Sequence, residues 1–148
     1  MGIKQISVEE ARQAMEPSGN VVYVDVRTPQ EFEEGHPPSA INIPVVFPNS
    51  QTRQMESNPD FITIVETQIP KDTPVVVGCK MGGRSQMAAD LMNAAGYVDI
   101  SNMQGGFGGV RDRMSGEITS PGWIQMEFPV ETGTNEENGY EGLKKRAL

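Results

Sequence analysis

The residues around the chain's single cysteine are of the types that nucleophilic sulfur chemistry requires. Cys79 follows the apolar run 74–77 and precedes a helix-forming run, 85–95, with Lys80 and Arg84 close behind it. This order predicts that the thiol lies at the carboxyl end of a buried strand and at the N-terminus of a helix. Helix N-termini attract anions because their first N–H groups lack partners and the helix dipole is positive there. The pattern therefore favours a reactive thiolate.

The alternative is a buried, inert cysteine, which is the usual fate of a single free thiol. Two features favour the reactive interpretation. Gly82 and Gly83 allow backbone torsions that other residues avoid, so that N–H groups of the loop can turn towards the sulfur. A helix dipole contributes up to ~2 kcal/mol and one charge-assisted N–H bond about 1.5–3 kcal/mol, and both stabilise an ionised group. We therefore expect Cys79 to act as a nucleophile.

Four groups of residues resemble the single-domain rhodaneses, a family of thiosulfate sulfurtransferases. Residues 79–85 resemble the family's Cys-x-x-Gly-x-Arg-Ser loop, and residues 105–107 and 128–131 resemble its glycine-pair motif and its closing Pro-Val. The family's Asp-x-Arg, Glu-Phe, Gly-His, Ala and Ile-Pro signature is resembled by Val24-Asp25-Val26-Arg27, Glu31-Phe32, Gly35-His36, Ala40 and Ile43-Pro44. The resemblance runs from about Ser7 to Glu131 in the family's order.

The resemblance implies a reaction and a fold. Cys79 would attack the outer sulfur of thiosulfate, hold it as a persulfide and pass it to cyanide or to a cellular thiol, without a cofactor. The following loop residues would bind the substrate: Lys80, Met81, Gly82, Gly83, Arg84 and Ser85. The fold would be a rhodanese-like three-layer α/β structure with a central, mostly parallel five-stranded sheet and helices on both faces.

The polar side chains of the loop suggest how an anion is held. Lys80 and Arg84 are candidates for the sulfonate end of thiosulfate, with solvated surface cations as the alternative. Arg84 stands at the start of the predicted helix, where the dipole disfavours a cation, and this placement favours a functional role. Ser85 either caps the helix or hydrogen-bonds the sulfur, and we expect capping.

Other polar residues are expected to support the site. Asp25 and Arg27 end another predicted strand, so we expect them to orient the loop through hydrogen bonds. His36, the chain's only histidine, is expected to be structural. With one histidine and one cysteine, the chain is not expected to hold a metal site of the usual kind.

The elements that position these residues follow from capping boxes at 7–10 and 28–31 and from apolar periodicity. The predicted helices cover 8–15, 29–34, 59–69 and 85–95, the predicted strands cover 21–26, 40–43, 74–77 and 97–100, and 48–56 is a predicted loop. The fourth helix is expected to bury Met87, Ala88, Leu91 and Ala95. This alternation is typical of a parallel α/β sheet, in which ligands bind beyond the carboxyl ends of the strands. Cys79 falls there.

The 148-residue chain is predicted to form a rhodanese-like domain over 1–131 and a tail over 132–148. Rhodaneses often carry a tryptophan shortly after the glycine pair, whereas here Trp123 comes later, behind a predicted inserted loop. Residues 132–139 are predicted to be a solvated linker. Residues 140–148 are predicted to form a short helix, either docked or free.

Composition limits the partners of the chain. A formal net charge of -8 argues against nonspecific binding to nucleic acid or to an anionic membrane, and it makes a locally cationic pocket necessary for anionic substrates. One cysteine excludes an internal disulfide and favours a reducing, cytoplasmic setting. No apolar stretch approaches the ~20 residues of a membrane span. The expected partners are thiosulfate, cyanide and a thiol or sulfur-acceptor protein.

Two other functions compete with sulfur transfer. Thiol phosphatases and arsenate reductases also cradle an oxyanion above a cysteine, but the related phosphatase pattern places five residues between cysteine and arginine. Here four residues separate Cys79 from Arg84, so the loop is narrower and favours a sulfur atom. The second alternative is a partner-binding module without catalysis. Such modules usually lack the cysteine, so the presence of Cys79 argues against it.

Overall fold

The structure is a computed structural model that describes residues 2–16, 20–80 and 83–148. Two of the predicted substrate-binding residues, Met81 and Gly82, lie outside the described residues. The helices are α1 (Val8–Met15), α2 (Pro29–Glu34), α3 (Phe61–Gln68), α4 (Gly83–Ala94) and α5 (Tyr140–Ala147). The strands are β1 (Lys4–Ile6), β2 (Val22–Asp25), β3 (Ile41–Asn42), β4 (Val46–Pro48), β5 (Met55–Ser57), β6 (Val75–Gly78), β7 (Ile100–Met103), β8 (Val110–Arg111) and β9 (Ile118–Ser120).

A parallel five-stranded sheet in the order β1-β7-β6-β2-β3 forms the centre of the molecule. Its register places Asp25 beside Gly78 and Val77 beside Asn102. The carboxyl ends of β2, β6 and β7 therefore meet at one edge. This is the edge at which ligands bind in parallel α/β sheets.

Helices cover both faces of the sheet, as predicted. Because side chains alternate along a strand, Val24 and Val77 point to one face and Tyr23 and Val76 to the other. The first face packs against apolar side chains of α3, α4 and α5, and the second against those of α1, α2 and Trp123. The fold is thus the three-layer α/β structure that the sequence indicated.

Both predicted capping boxes are present. The Ser7 side chain accepts a hydrogen bond from the Glu10 N–H at 3.0 Å, and the Glu10 carboxylate accepts one from the Ser7 N–H at 2.9 Å. Thr28 and Glu31 form the same reciprocal pair at the start of α2, with Pro29 at the first helical position. These local signals set the residues at which the first two helices begin.

Several predicted details were wrong. In α4 the buried residues are Ser85, Ala88, Ala89 and Met92, whereas Met87 is 44% exposed and Leu91 42% exposed. The prediction placed the larger apolar residues inside, but the alanines let the helix approach the sheet closely. The predicted loop over 48–56 is shorter, because β4 and β5 pair as an antiparallel ribbon around it.

The last strand of the sheet also lies later than predicted. It covers Ile100–Met103 rather than 97–100, and β1, which was not predicted, pairs with it. Tyr97 is buried for another reason, because its hydroxyl donates to the carbonyl oxygens of Val65 and Ile69 at the end of α3, at 3.2 and 2.6 Å. Because β1 and β7 contain several polar residues, they lack the apolar run from which the other strands were predicted.

The predicted C-terminal helix is present as α5 and is docked. It packs against α3, and Tyr140 and Leu143 are buried in the main apolar cluster. The Tyr140 hydroxyl also accepts a hydrogen bond from the Asn58 amide at 3.1 Å. Across the described part of the chain, no helix combines the length and the apolar character needed to cross a membrane.

Candidate active site

The predicted site lies at the carboxyl edge of the sheet. Cys79 follows the last residue of β6, and Asp25, the last residue of β2, is paired in register with Gly78. The Val26 N–H donates to the Gly78 carbonyl oxygen at 3.0 Å. The cysteine is therefore positioned by two adjacent central strands, which are among the most rigid parts of such a fold.

Gly78 is required by the packing of Tyr23. A Cβ atom at this position would collide with the Tyr23 hydroxyl oxygen, so any other residue must displace the ring. That hydroxyl is buried without a hydrogen-bond partner among the described residues. Burial raises the pKa of Tyr23 well above its usual value, and the nearby Asp25 carboxylate raises it further. Tyr23 is thus an uncharged side chain that packs against Gly78, directly before the cysteine.

The glycine-pair segment supports the cysteine loop from behind. The Phe107 N–H donates to the Cys79 carbonyl oxygen at 2.7 Å, and the Gly108 N–H donates to the Lys80 carbonyl oxygen at 3.0 Å. Gly106 has a φ of 62° and lies against the Lys80 and Cys79 carbonyl groups, which leave no space for a Cβ. A larger residue at this position would both strain the backbone and push the loop away.

Trp123 follows an inserted hairpin in the chain, as predicted, and it contacts the glycine-pair segment. Strands β8 and β9 form the hairpin, and the Trp123 N–H then donates to the Gly106 carbonyl oxygen at 2.9 Å. Its indole N–H donates to the Pro129 carbonyl oxygen at 2.7 Å. The buried indole packs edge-on against Tyr23 and Phe128. The tryptophan therefore stabilises the wall behind the cysteine loop despite its later position in the chain.

The Cys79 sulfur contacts Ser85. The thiol is 1% exposed, and its Sγ lies 3.4 Å from the Ser85 Oγ, to which it donates. The expectation that Ser85 caps the helix was wrong, because α4 begins at Gly83 and Ser85 lies inside its first turn. A hydroxyl can donate as well as accept, so Ser85 can stabilise the sulfur as a thiol and as a thiolate.

Arg84 is held by a carboxylate that the sequence analysis did not single out. Its two terminal nitrogens donate to Glu31 Oε1 at 2.7 Å and to Glu31 Oε2 at 3.1 Å. Glu31 is also the acidic residue of the α2 capping box. The signals for it were the capping box and the Glu-Phe signature, and neither reveals Arg84 as its second partner.

The ion pair changes the titration of both residues. Burial opposes the effect on Glu31, but the bonds from Arg84 and Thr28 lower the pKa of Glu31 to about 2. The hydrogen bonds that Arg84 donates to Glu31 raise the pKa of Arg84 against a smaller effect of burial. Both side chains are partly exposed, at 27% and 22%. The guanidinium is therefore fixed and charged beside the cysteine loop.

The other predicted loop residues lie on the outer side. Lys80 is exposed. Its aliphatic side chain lies against Gly108, so closely that a Cβ atom on that glycine would be 3.1 Å from the Lys80 Cγ. Gly83 is exposed and begins α4. Lys80 is thus placed at the rim of the loop, where its ammonium group can meet an incoming anion.

Asp25 and Arg27 form a buried ion pair beside the loop. The Arg27 Nε donates to Asp25 Oδ1 at 2.9 Å, and one terminal nitrogen donates to Oδ2 at 2.7 Å and to the Gly35 carbonyl oxygen at 2.6 Å. The guanidinium carbon lies 4.4 Å from the centre of the Phe107 ring. Since the Phe107 N–H donates to the Cys79 carbonyl oxygen, the ion pair is linked to the cysteine loop through Phe107.

His36 has structural contacts, in agreement with its expected role. It is buried, its ring stacks on Phe32, and its Nδ1 lies 2.7 Å from the Phe32 carbonyl oxygen. Within residues 2–16, 20–80 and 83–148, no group of three or more His, Cys, Asp or Glu side chains is arranged to hold a metal ion.

Comparisons with known proteins agree with this geometry. The model of the rhodanese-like domain family matches residues 7–112, and the chain belongs to that family. It is 30% identical over 136 residues to thiosulfate sulfurtransferase 18 of Arabidopsis thaliana, covering 90% of this chain and 88% of that protein. It is 42% identical over 86 residues to the mitochondrial protein HIGH ARSENIC CONTENT 1 of the same plant, covering 57% of this chain and 49% of that protein.

A solved structure shares the fold. The crystal structure of Rv0390 from M. tuberculosis superposes with a TM-score of 0.73 at 24% identity, covering 90% of this chain and all of that one. The chain spans about half the length of several curated relatives that it matches. The family and the fold are therefore established.

Proposed function

We propose that the chain is a sulfurtransferase that moves the outer sulfur of thiosulfate to a thiophilic acceptor through a persulfide on Cys79. The observation that carries the proposal is the placement of Cys79 at the sheet edge, in contact with the Ser85 hydroxyl and a few residues before Arg84, whose guanidinium is held by Glu31. Its similarity to sulfurtransferases supports sulfur transfer in general. The choice of thiosulfate and the persulfide intermediate are part of the proposal.

In the first step the Cys79 thiolate attacks the outer sulfur of thiosulfate. The bond between Cys79 Sγ and that sulfur forms as the sulfur–sulfur bond of thiosulfate breaks, and sulfite leaves with the electron pair. The enzyme keeps a persulfide, Cys79–S–S⁻. In the second step cyanide attacks the terminal sulfur, thiocyanate leaves, and the Cys79 thiolate returns. Charge and atoms balance in both steps without a cofactor.

The charges around the loop suit an anionic donor. The protein carries a net charge of -8, so a dianion such as thiosulfate approaches against the overall field. Lys80, at the rim of the loop, supplies a solvent-exposed cation. Arg84 uses two nitrogens on Glu31, and a guanidinium has five N–H donors in total. Within the described contacts the other donors have no partner, and we expect them to bind the sulfonate oxygens.

The buried thiol limits what can react. Because Cys79 is 1% exposed, its surroundings must open locally before a donor reaches the sulfur. A free nucleophilic thiol also persists best in a reducing compartment such as the cytoplasm. We include that location and a thiol or protein acceptor in the proposal.

One relative favours a second candidate, an arsenate-handling thiol enzyme. The similar plant protein carries arsenic in its name, and arsenate, like thiosulfate, is a tetrahedral anion. The narrower loop, with four residues between Cys79 and Arg84, still favours sulfur over an oxyanion with four oxygens. A partner-binding module without chemistry is the third possibility, and the presence of Cys79 and Arg84 argues against it.

The deciding experiment is a steady-state assay with purified protein. Thiosulfate and cyanide are supplied, thiocyanate is measured, and the same preparation is tested for arsenate reduction and for hydrolysis of an aryl phosphate. We expect thiocyanate from the wild type and none above background from Cys79→Ser. Arsenate reduction without thiocyanate formation would favour the second candidate. Inactivity in all three assays would favour a binding module.

A further inference from the structure

A group of three carboxamides lies between β1, β7 and the first turns of α4. The Asn102 Nδ2 donates to Gln5 Oε1 at 2.8 Å and to Gln86 Oε1 at 3.1 Å. The Gln5 Nε2 donates to the same Gln86 oxygen at 2.8 Å. The Gln86 Nε2 donates in turn to Asp90 Oδ1 at 3.1 Å. These bonds fix how each amide is oriented.

Asn102 is left with one unused acceptor. Its side chain is buried, with 3% exposure, and its Oδ1 has no hydrogen-bond partner among the described residues. The amide cannot be turned round, because Nδ2 already faces two oxygens. Buried polar atoms are nearly always paired, and this unpaired oxygen belongs to a side chain that lines a cavity, so a ligand that donates to it would supply the missing hydrogen bond.

The three carboxamides form part of the wall of a cavity of about 440 Å³, together with Gln104, Gly105, Val110 and Ser120. We call this cavity the amide pocket. None of these lining residues is charged. Gln104 is exposed at its mouth, so its side chain can move aside for a ligand that approaches the buried oxygen.

The amide pocket borders the cysteine loop on the side away from Glu31, the partner of Arg84. Gln86 directly follows Ser85, whose hydroxyl contacts the Cys79 sulfur. Gly105 directly precedes Gly106, which lies against the Cys79 and Lys80 carbonyl groups. The pocket therefore adjoins, through two neighbouring residues, the elements that hold the thiol.

We propose that the amide pocket binds the sulfur acceptor, and that this acceptor is a cysteine within an uncharged peptide segment. The inference rests on the function proposed above. A peptide N–H supplies the donor that the Asn102 Oδ1 lacks, and the Gln104 amide and Ser120 hydroxyl can donate to peptide carbonyl oxygens. An oxygen that accepts repels anions, so thiosulfate does not compete for this pocket.

The transfer step balances in this arrangement. The acceptor thiolate attacks the terminal sulfur of protonated Cys79–S–SH, and a new sulfur–sulfur bond forms on the acceptor. The bond to Cys79 breaks and leaves its electron pair on Sγ. The products are the acceptor persulfide and the Cys79 thiolate, without an added oxidant or reductant.

The test compares acceptors that differ in their peptide groups. The protein is first loaded with thiosulfate, and the rate of sulfur loss is then measured with cyanide, with 2-mercaptoethanol and with the blocked tripeptide acetyl-glycyl-cysteinyl-glycinamide. The variants are Asn102→Leu, which removes the buried acceptor, and Gln104→Ala, which leaves the internal amide bonds intact. Gln51→Ala, on an exposed loop, is the matched control.

We expect both pocket variants to lower kcat/KM for the tripeptide about five- to tenfold, the effect of one lost hydrogen bond, and to leave cyanide and 2-mercaptoethanol unchanged. Wild-type rates for the tripeptide in both pocket variants, or equal losses with all three acceptors, would overturn the inference. If Asn102→Leu does not fold, Gln104→Ala decides.

A binding measurement separates this inference from the proposed function. The side-chain amide signals of Asn102 and Gln104 are followed by NMR while the S-methylated tripeptide, which cannot react, is added to the unmodified protein. Shifts at these amides, absent on addition of sulfate, support the pocket even if no persulfide forms. Unchanged amide signals at millimolar tripeptide contradict it even if sulfur transfer is confirmed.

Discussion

The two sides of the cysteine loop differ in charge. Towards α2, Glu31 and Arg84 form a bidentate ion pair, and the buried pair of Asp25 and Arg27 lies behind it. Towards β1 and β7, the amide pocket contains only carboxamides, glycine, valine and serine. Both sides are reached from the same loop, because Arg84 and Gln86 are two residues apart on the first turn of α4.

This difference suggests a division of the two half-reactions. A fixed guanidinium favours an anionic sulfur donor, whereas an uncharged pocket with an unused acceptor favours a neutral molecule that donates N–H groups. The donor and the acceptor then do not compete for one set of contacts. Variants that affect one side and spare the other can test this division.

The largest effect is expected at the residue that both sides share. Cys79→Ser replaces the nucleophile with a hydroxyl of similar size, so both half-reactions should fall by at least about a thousandfold. Thiocyanate formation measures the activity, and thermal unfolding shows that the fold is intact. Residual transfer near the wild-type rate in a folded variant would remove Cys79 from the mechanism.

Removing the guanidinium should affect the donor side alone. Arg84→Ala loses charge-assisted bonds to the sulfonate, so the KM for thiosulfate should rise about ten- to a hundredfold, while the KM for cyanide should change little. Initial rates over a matrix of both substrates measure the two constants.

Arg84→Ala also leaves Glu31 without its partner, so stability must be separated from binding. The double variant Arg84→Ala with Glu31→Gln should recover stability but keep the raised KM. An unchanged KM for thiosulfate in the single variant would place Arg84 outside the donor site.

The ion pair should also appear in the pH dependence of stability. Because the pKa of Glu31 is lowered from 4.5 to about 2, its contribution is complete above pH 4.5 and is lost as the pH falls towards 2. Glu31→Gln keeps a side chain that can serve the capping box but removes the charge. We expect it to be less stable by about 1–2 kcal/mol at pH 7, a value reduced for partial exposure.

Urea unfolding at pH 7, 4 and 3 measures this difference between Glu31→Gln and the wild type. The difference should shrink as the pH falls below 4.5, because the unfolded wild-type chain then takes up a proton at Glu31 that the folded chain binds only near pH 2. Glu10→Gln is the matched control, since Glu10 has the same capping position in α1 without an arginine partner in the described contacts. A constant difference across the pH range would show that the ion pair does not stabilise the fold.

The smallest effect, a change in stability, is expected at Tyr23. Tyr23→Phe removes a buried hydroxyl that has no partner among the described residues, so the variant should be as stable as the wild type or more stable by up to ~1 kcal/mol. Chemical denaturation measures it, and Tyr97→Phe is the control, because the Tyr97 hydroxyl makes two hydrogen bonds. A clear loss of stability in Tyr23→Phe would mean that its hydroxyl has a partner.

Local signals predicted much of the fold. The capping boxes at Ser7 and Thr28 gave α1 and α2 their correct limits, and the apolar run at 74–77 located β6 within one residue. The errors came from elements whose stability depends on tertiary contacts. Strand β7 contains the polar residues Ser101 and Asn102 and is recognisable only from its neighbours. The buried face of α4 depends on how closely its alanines approach the sheet.

The sequence indicated which neighbouring residues form the candidate site, but it did not reveal their distant partners. Adjacent residues in the sequence indicated Cys79, Lys80 and Arg84 together. Glu31 is 53 positions before Arg84, and Gln5 is 97 positions before Asn102. Contacts over such separations follow from the sheet order, which a single sequence does not specify. The charged and the neutral side therefore became visible only in the folded chain.

The most direct test of the central claim is the intact mass of the protein after treatment with thiosulfate. We expect a gain of one sulfur atom, located on Cys79 by peptide mapping, absent from Cys79→Ser, and lost when cyanide is added with release of thiocyanate. An unchanged mass, with the Cys79 thiol still open to alkylation after thiosulfate treatment, would contradict the persulfide and with it the proposed sulfur transfer.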